Sequence, residues 1–387
     1  MKKLSREIRD HLVCKIIPFW QKLKDVKYGG YYSYVDYDQA LDKEAPKGCI
    51  LNSRILWFFS AAYVATGDKK LLDDAKWAYD FLMESCIDKT YGGIFWQVKY
   101  NGECDDDIKH TYNQAFAIYA LSAYYEASGE KRALDTAFAL FQCIEEKCRD
   151  CDGYLEAFTR DFSPMLNNEK LSENGTNAFR TMNTLLHVLE GYTELYRVSK
   201  NDLVREKLYG IVDIFEKHVF NAELRRQELF FDKDYNTLAD VHSYGHDIET
   251  AWLLTRCAEV IGDADLMKRV RRMAEVFEQR IYERAFVNSS ILNECENGVD
   301  NLTRVWWMQA EAIVGFANAY RYTGDEKYKA ASHDIWEYIK EYFIDKREGS
   351  EWFWSVSADG TPDKKPIVEP WKCPYHNGRM CIEIIRE

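Results

Sequence analysis

Ile55-Leu-Trp-Phe-Phe-Ser-Ala-Ala-Tyr-Val-Ala-Thr-Gly67-Asp68 is the stretch that decides the fold of this 387-residue chain. A strongly apolar helical run ends at Gly67, and Asp68 precedes an amphipathic segment with a charged face. Glycine ends helices because it adopts the left-handed conformation without Cβ strain, and aspartate can cap the helix that follows. The stretch predicts a buried helix, a tight turn and a half-exposed helix.

The pair Gly67-Asp68, a residue that ends one helix followed by an acidic residue that begins the next, has counterparts along the chain, and we call each such pair a mark. It appears again as Gly129-Glu130, Gly262-Asp263 and Gly324-Asp325, with Asn201-Asp202 standing between the second and third glycine marks. Successive marks are 62, 72, 61 and 62 residues apart. Asparagine is the next most tolerant residue in the left-handed conformation, so we expect Asn201 to end a helix at the one mark that lacks a glycine. A fixed period of helical pairs indicates a repeat architecture.

Each mark separates two kinds of helix. The segments that follow the marks are amphipathic and predict outer helices, with a further one at the start: 4–23, 69–86, 131–148, 202–218, 263–283 and 326–343. The segments that precede them are apolar on most sides and therefore predict buried inner helices. Residues 376–386 add a sixth inner helix.

The two ends of the chain favour a closed ring. An open solenoid needs polar capping repeats, and neither end is polar enough for that. The chain starts with an outer helix and stops with an inner one, so the two can pair across a seam. We predict an all-α protein, one (α/α)6-barrel catalytic domain of six helical hairpins over residues 1–387.

The connections from outer to inner helices are long and aromatic. They contain Gly29-Gly-Tyr-Tyr-Ser-Tyr34, Gly92-Gly-Ile-Phe-Trp96, Gly153-Tyr-Leu-Glu-Ala-Phe158 and Trp352-Phe-Trp354. Such alternations beside turn residues predict short β-hairpins. Because long loops on a rigid scaffold often carry function, we expect the site at this end of the barrel.

Composition narrows the partners. A net charge of −13 repels phosphate backbones, which argues against nucleic acid and favours a weakly charged small molecule. We find no apolar run long enough to span a membrane. The odd count of eleven cysteines, spread through helical segments, is typical of free thiols in a reducing compartment. We expect a soluble cytoplasmic protein, a monomer or weak dimer.

Polar residues recur at fixed distances before the marks. Arg54, Glu249 and Glu311 each lie 13 residues before theirs, and His187 lies 14 before Asn201. One turn earlier, 16 or 17 residues before their marks, stand Tyr112, His246 and Trp307. Offsets of 13 and 17 share one helix face, which in a barrel points to the axis. Their convergence predicts a polar pocket.

Each of these residues also has an ordinary structural explanation. His187 alone would more often be a hydrogen-bonded core histidine, Trp306-Trp307 would more often be packing, and Arg54 could cap a barrel end through ion pairs. The shared register argues against these explanations, because chance gives no reason for polar residues to align across repeats.

Histidines suggest the chemistry. An unperturbed pKa of about 6.5 lets histidine take and give a proton near neutrality. Two histidines on opposite sides of one carbon can deprotonate and reprotonate it beside a carbonyl, without a cofactor. His246 and Glu249 do not complete a zinc motif, because Thr250 stands where the second histidine would be needed. Cys148-x-x-Cys151 has the spacing of a metal or redox pair, but no second pair completes a zinc site. The sequence contains no glycine-rich loop of the kind that binds phosphate. We therefore expect no metal and no nucleotide.

Six segments together resemble the N-acylglucosamine 2-epimerase superfamily, and within it the cellobiose 2-epimerases. They are Ser53-Arg-Ile-Leu-Trp57, Lys109-His-Thr-Tyr-Asn113, Thr181-Met-Asn-Thr-Leu-Leu-His187, His242-Ser-Tyr-Gly-His-Asp-Ile-Glu249, Arg304-Val-Trp-Trp-Met-Gln-Ala-Glu311 and Pro370-Trp-Lys-Cys-Pro-Tyr-His-Asn-Gly-Arg379. The resemblance keeps their order and runs from about residue 8 to the end of the chain.

The resemblance implies an (α/α)6 barrel and a reversible reaction at C2 of the reducing-end glucose of β-1,4-linked disaccharides. Cellobiose would become 4-O-β-glucosyl-mannose and lactose would become epilactose, through a ring-opened cis-enediol. His246 and His376 match the acid/base pair, and His187 matches a histidine of ring opening or substrate binding. Arg54 matches an arginine that stabilises charge on the enediol oxygens.

The same resemblance implies that Glu249 and Glu311 orient the histidines and the substrate hydroxyls. It also implies a shell that binds the sugar, made of Tyr112, Asn183, Trp252, Trp307 and Trp371. The alternatives are a monosaccharide aldose-ketose isomerase or an N-acylglucosamine 2-epimerase on the same scaffold. Less close are a glycoside hydrolase that uses Glu249 and Glu311, and a helical scaffold that binds proteins.

Overall fold

The glycine marks end one helix and their acidic neighbours begin the next. The structure, a computed structural model, describes residues 2–165 and 176–386. In it the four mark glycines are left-handed, with φ between 69° and 78°. Gly67 donates its N–H to the Tyr63 carbonyl at 2.8 Å, and the Asp68 side chain accepts the Lys70 N–H at 3.0 Å. Each mark thus satisfies backbone groups at two helix ends.

Thirteen helices form the described part of the chain. In chain order they are α1 Lys2–His11, α2 Ile17–Lys22, α3 Cys49–Thr66, α4 Lys69–Phe81, α5 Thr111–Ser128, α6 Lys131–Cys143, α7 Met182–Ser199, α8 Asp202–Ile214, α9 Tyr244–Ile261, α10 Ala264–Arg284, α11 Trp306–Thr323, α12 Glu326–Tyr338 and α13 His376–Arg386. Single π-turns join or extend outer helices at Leu12–Ile16, Leu82–Cys86, Ile144–Cys148, Phe215–Val219 and Ile339–Phe343.

The helices form two concentric layers. The inner layer is α3, α5, α7, α9, α11 and α13, and most residues of these helices are buried. The outer layer is the joined pair α1 and α2 together with α4, α6, α8, α10 and α12. Outer helices bury one face and expose the other, as their amphipathic sequences predict. The predicted all-α barrel of six helical hairpins is confirmed.

The ring closes between its first and last elements. Helix α13 packs against α1, α3 and α11. Glu7 of α1 accepts hydrogen bonds from Trp336 Nε1 at 3.0 Å and from Lys340 Nζ at 2.8 Å, both on the α12 hairpin. Val35 of the first long loop pairs with Val368 of the last. A closed barrel, rather than an open solenoid, follows from these seam contacts.

Short strands lie in the long loops. Their bounds are β1 Lys47–Gly48, β2 Gln97–Val98, β3 Cys104–Asp106, β4 Lys109–His110, β5 Ala157–Phe158, β6 Arg180–Thr181, β7 Phe220–Asn221, β8 Arg226–Gln227, β9 Phe230–Phe231, β10 Val241–Ser243, β11 Phe286–Val287, β12 Ser290–Ile291, β13 Glu294–Glu296, β14 Val299–Asp300, β15 Arg304–Val305 and β16 Ser355–Val356.

The strands pair in two ways, of which only one was predicted. Tight hairpins follow the outer helices, either as β7–β8 and β11–β12 or as single bridges such as Ile87 with Ile94. The strand before an inner helix instead pairs with the next long loop, as in β1–β2, β4–β5, β6–β9, β10–β13 and β15–β16. Because these antiparallel pairs link neighbouring repeats, they hold the loop ends together around the cavity mouth.

The predicted role of Asn201 at the third mark is wrong. The left-handed residue there is Lys200, with φ 53°, whereas Asn201 is extended and accepts the N–H groups of Leu203 and Val204. Asn201 therefore caps the next helix, the task that Asp68 performs in the first repeat. Since the mark moves by one residue, His187 lies 13 residues before it and has the same register as Arg54.

The prediction that no apolar run is long enough to span a membrane is wrong for one helix. By length and composition Cys49–Thr66 is long and apolar enough to do so. In the barrel it is the inner helix α3, and 78% of its apolar window is buried inside the protein. A core helix of a soluble protein passes the same test, so its apolar character is explained by the inner layer.

Buried ion pairs fix the loop end of the barrel. Lys47 lies 2.6 Å from Asp25, and Lys109 lies 3.0 Å from Asp88, with every partner at most 1% exposed. In both pairs the lysine precedes an inner helix and the aspartate follows an outer helix of the same repeat. The pairs therefore set where the inner helices begin, and with them the first-turn side chains that face the axis.

Candidate active site

A cavity of about 590 Å³ opens at the loop end of the barrel. Its volume suits a small-molecule site. Nine of the eleven residues predicted for the site line it: Arg54, Tyr112, Asn183, His187, His246, Glu249, Trp307, Trp371 and His376. Glu311 lies directly behind His376, and Trp252 lies deeper in the barrel. The fold thus brings together groups from all six inner helices.

His246 lies in the first turn of α9, and a residue of the cavity wall hydrogen-bonds to its ring. Its Nδ1 lies 2.7 Å from the Ser243 hydroxyl, and Ser243 is the residue that precedes the helix. Its ring lies 4.8 Å from the ring of Trp307. Removal from bulk water, and secondarily the neighbouring His187, lowers the pKa of His246 to about 3. The ring is therefore neutral at pH 7, and Nε2 is the nitrogen on the edge opposite Ser243.

His376 is the first residue of α13 and is held by a carboxylate. Its Nδ1 lies 2.7 Å from Glu311 Oε1, and its ring lies 5.3 Å from the ring of Trp307. Burial, followed by the positive charges of Arg379 and Arg54, keeps the pKa of His376 well below its usual value. His246 and His376 thus lie against the same indole, each with Nδ1 committed to a wall residue.

Arg54 is a buried cation on the far side of the cavity. It is 2% exposed, and Nη2 donates to the Tyr112 hydroxyl at 2.7 Å. The guanidinium also lies 4.2 Å from the Phe116 ring and 4.6 Å from the Tyr375 ring. No carboxylate forms an ion pair with Arg54 among residues 2–165 and 176–386, so its charge is available to a ligand in the cavity.

His187 is oriented by a carboxylate of its own helix. Its Nδ1 lies 2.9 Å from Glu190 Oε2, which also accepts the Tyr375 hydroxyl at 2.6 Å. Burial alone would raise the pKa of Glu190, but Arg379 and His187 outweigh it and lower that pKa to about 2. Glu190 is therefore ionised, and an ionised acceptor fixes the His187 proton on Nδ1.

Arg379 links three buried carboxyl groups beneath the cavity. Nη1 donates to Glu190, while Nη2 donates to both Glu249 and, at 2.7 Å, Glu311. Carboxyl groups of Glu249 and Glu311 converge with His376 so that their ligand atoms lie within 4.8 Å of one another. Such a triad could hold a metal ion, but here a guanidinium Nη contacts both carboxylates and supplies the positive charge.

Three residues of the site, Arg379, Glu190 and Tyr375, were not predicted from the sequence. All three are buried and hydrogen-bonded to one another. The available signal was spacing, because Glu190 follows His187 by three residues and Arg379 follows His376 by three. On a helix that spacing puts two side chains on neighbouring faces one turn apart.

Trp252 does not lie where a sugar-binding residue was expected. Its indole Nε1 donates to Glu311 Oε2 at 3.0 Å, and the Arg379 guanidinium lies 4.7 Å from its ring. It therefore contacts the carboxylate layer from below and faces the opposite end of the barrel. Trp371, in contrast, lies at the mouth, with ring centroids 5.7 Å from Trp96 and 6.0 Å from Tyr112.

One wall of the cavity is a thin sheet that also bounds a second, shallower cavity. Val241 and Ser243 of β10 and Glu294 and Glu296 of β13 line the cavity with the histidines. The residues between them, His242 and Cys295, pair across the strands and line the other side. Alternation along a strand explains the division. Ser243, which contacts His246, is therefore mounted on a paired strand.

The carboxyl pair does not have the arrangement of a glycoside hydrolase. Glu249 and Glu311 both bind one Nη of Arg379, and Glu311 is directed at His376. Hydrolases of this kind place two carboxyl groups about 5 to 9 Å apart on either side of the scissile bond. The hydrolase alternative therefore lacks its geometry, whereas three histidines reach the cavity.

Comparison with known proteins agrees with this geometry. A family model described as N-acylglucosamine 2-epimerase (GlcNAc 2-epimerase) matches residues 29–378. A cellobiose 2-epimerase of Ruminococcus albus is 50% identical over 380 residues, which cover 98% of this chain and 97% of the relative.

Two solved structures are similar over nearly their whole length. A sugar epimerase from a ruminal bacterium is 49% identical with a TM-score of 0.98, covering 99% of this chain and 98% of its own. A cellobiose 2-epimerase from Bacillus thermoamylovorans B4167 is 44% identical with a TM-score of 0.97, and both chains are covered completely. These likenesses extend across the barrel and its loops.

Proposed function

The chain belongs to the N-acylglucosamine 2-epimerase family, and we propose from that premise that His246 and His376 exchange the proton at C2 of its sugar. The protein is an isomerase that epimerises disaccharides, as its cellobiose 2-epimerase relatives do. The observation that carries the proposed chemistry is the position of both imidazoles against the single indole of Trp307. An open-chain sugar over that indole would present C2 to both rings.

The first step removes the C2 proton from the open-chain aldose. A neutral Nε2 takes the proton, the C–H electron pair forms a C1–C2 double bond, and the C1–O π pair moves onto the carbonyl oxygen, which becomes a negatively charged enediolate oxygen. The low pKa values of His246 and His376 support this step, because the ring that acts as the base is unprotonated at neutral pH. Anchoring Nδ1 to Ser243 or Glu311 would hold each Nε2 at a fixed position.

The second step returns a proton to C2 from the opposite face. For this the other histidine must carry a proton on Nε2. It donates that proton to C2, the double bond reverts to the aldehyde with inverted configuration at C2, and the ring that took the first proton is left protonated. Reversal of the two roles gives the reverse reaction. The glucose end of cellobiose thus becomes mannose, and that of lactose likewise gives epilactose.

Arg54 would stabilise the intermediate. Its guanidinium lacks a carboxylate partner in the described part of the chain and donates to the Tyr112 hydroxyl. Charge that develops on the enediol oxygens would meet a fixed cation in a site with little water, where such interactions are strong. His187, held by Glu190, offers its other nitrogen to a ring oxygen or hydroxyl during ring opening.

Aromatic rings and an amide would bind the two sugar units. Trp307 lies against His246 and His376, whereas Trp371 lies against Trp96 and Tyr112, and both indoles line the cavity. Asn183 contributes an amide whose Oδ1 has no hydrogen-bond partner among the described residues. We assign Trp252 the task of positioning Glu311 rather than that of touching sugar, because of its bond beneath the carboxylate layer.

Solvent deuterium tests the proposal directly. We expect cellobiose incubated with the protein in D2O to acquire deuterium at C2 and to yield 4-O-β-glucosyl-mannose. Cellobiose recovered without label, and without its epimer, would overturn the function. Mannose and N-acetylmannosamine run beside it separate the two alternatives on this scaffold.

Single-histidine variants test the division of labour. In His246→Asn and His376→Asn we expect epimerisation to be lost while each variant still exchanges the C2 proton of one epimer only, since one base remains. Full epimerisation in either variant would remove that histidine from the mechanism. We further propose that the protein works in the cytoplasm without a cofactor, as a monomer or weak dimer.

A further inference from the structure

Arg379 lies at the centre of the carboxylate layer that supports the histidines. It is 1% exposed and follows His376 by one helical turn on α13. Glu190, Glu249 and Glu311 reach its two terminal nitrogens from α7, α9 and α11. Four inner helices therefore meet at one guanidinium, directly beneath the cavity.

The layer contains more negative groups than positive ones. Arg379 is one cation facing three carboxyl groups that are at most 4% exposed. Arg54, a further buried cation beside the cavity, is directed at Tyr112 and the loop near Trp371. Because burying an unbalanced charge is costly, a proton on one of the three carboxyl groups is favoured, since it reduces the excess from two negative charges to one.

Hydrogen bonds identify which carboxyl group that is. Glu190 accepts from Arg379, Tyr375 and His187, and is ionised. Glu311 accepts from Arg379, from Trp252 and from His376 Nδ1.

Glu249 has weaker support for a negative charge. It accepts only from Arg379 through Oε1, and its Oε2 has no partner among the described residues. Burial, followed by the neighbouring Glu311, raises the pKa of Glu249 to about 7. The least supported carboxyl group is therefore also the one whose pKa is raised into the neutral range.

We infer that Arg379 is a positioning residue: it holds Glu190 and Glu311 ionised and fixes Glu249, which keeps one exchangeable proton, beside His376. Glu249 Oε1 lies 4.0 Å from His376 Nδ1, and Glu311 Oε1 lies 2.7 Å from the same atom. When His376 acts as the acid it gives its Nε2 proton to C2, and the stored proton passes through Glu311 to Nδ1 in its place, which leaves the ring neutral with Nδ1–H facing Glu311. The inference rests on the proposed two-histidine chemistry.

The consequence is a specific pH dependence. Epimerisation needs the proton on Glu249, so kcat should fall as pH rises through about 7, the pKa of Glu249. The charged and titratable groups that face this carboxyl group are Arg379, Glu311, Glu190, His187 and His376. We call the pH range in which kcat falls the alkaline limb of the pH profile. Removing the charge of Glu190 and removing that of Arg379 should move this limb in opposite directions.

Glu190→Gln and Arg379→Gln form the test. Glu190→Gln removes a negative neighbour, so the alkaline limb of kcat should move to lower pH by about half a unit to one unit. Arg379→Gln removes the cation, so the limb should move to higher pH and kcat should fall about 100-fold, with KM changing much less. Arg379→Lys should restore the position of the limb. The matched control Arg256→Gln breaks an arginine–glutamate pair with Glu194 elsewhere in the barrel and should leave the limb in place.

Each result decides the inference. The role of Arg379 would be overturned if the alkaline limb of kcat lay at the same pH in the wild type, Glu190→Gln and Arg379→Gln. If the wild type still deuterated cellobiose at C2, that result would leave the proposed function intact. Loss of C2 deuteration in the wild type would overturn the function itself. If Arg379→Gln does not fold, as judged by circular dichroism, the Glu190→Gln shift still decides. An infrared band of a protonated carboxyl group that disappears in Glu249→Gln identifies the proton carrier, and its persistence there would contradict the assignment.

Discussion

Nδ1 of His376 lies 2.7 Å from Oε1 of Glu311, although 65 residues separate the two in the chain. The contact joins the first turn of the last inner helix to the inner helix before it. A histidine that donates from Nδ1 to a carboxylate has its other nitrogen free to accept a proton. Glu311 therefore sets the tautomer of His376 as well as its orientation.

Glu311→Gln tests this contact. The amide keeps the shape but removes the negative charge, so His376 loses the acceptor that fixes its proton and Arg379 loses a partner. We expect kcat for cellobiose to fall about 100-fold, with a smaller change in KM. Product formation followed by chromatography measures both. Glu194→Gln, a carboxylate paired with Arg197 and Arg256 outside the cavity, is the matched control; equal losses in the two variants would make Glu311 merely structural.

Ser243→Ala tests the corresponding support of His246. The hydroxyl lies 2.7 Å from Nδ1 and is the hydrogen-bond partner of this atom within the described residues. Without it the ring can rotate away from its position beside Trp307, so we expect kcat to fall about 10-fold or more. Ser60→Ala removes a buried hydroxyl that bonds only to its own helix at Leu56 and should leave kcat unchanged. Wild-type activity in Ser243→Ala would show that β10 does not orient the base.

Much of the fold could be predicted because its signals are local. Gly67 and Asp68 specify a left-handed helix end and a helix cap within two residues, and their repetition gives the ring. The left-handed conformation of Lys200 was not predicted, because nothing in a lysine side chain favours it and the barrel imposes it. The pairing of strands between repeats escaped for a similar reason, since each strand is two or three residues long.

The site could likewise be predicted in part, where its signals are local. Register on the inner helices predicted which residues face the axis, such as Arg54 and Glu249. Contacts between helices could not be read from it: Arg379 meets Glu190 across 189 residues and Glu249 across 130. Register also fails to tell which end of the barrel a large ring faces, which is why Trp252 was expected in the cavity.

Acid stability should reflect the buried neutral histidines. Burial lowers the pKa of His11 to about 4 and its ring accepts the Trp352 indole N–H at 2.8 Å. In the unfolded chain His11 binds a proton near pH 6.5, whereas in the folded protein it does not, so stability declines as pH falls between these values. We expect the free energy of unfolding in urea to fall between pH 6 and pH 4, and His11→Gln to reduce that slope by about 1.4 kcal/mol per pH unit. An identical slope in the variant would contradict the assignment.

Lys109→Met should destabilise the protein strongly. Lys109 and Asp88 are both fully buried and 3.0 Å apart, and removing one partner leaves a buried charge with less compensation. The expected loss is about 3 kcal/mol, because Arg160 still contacts Asp88. Lys76→Met breaks an exposed pair with Asp80 on an outer helix and should cost less than about 0.5 kcal/mol. Urea unfolding compares the two variants; similar losses would mean that the buried pair does not fix the loop end.

Lys200→Gly should stabilise the protein. Lys200 ends α7 with φ 53°, a left-handed conformation that glycine occupies in four other repeats. A side chain there costs about 1 to 2 kcal/mol of local strain, from which the greater entropy of glycine in the unfolded chain subtracts about 0.5 to 1 kcal/mol. The net gain is about 0.5 to 1 kcal/mol in the free energy of unfolding. Gly262→Ala is the converse change: nothing lies within 4 Å of the added Cβ, but φ is 78°, so it should be destabilising through backbone strain alone. A loss of stability in Lys200→Gly would mean that the lysine side chain contributes more than its backbone strain costs.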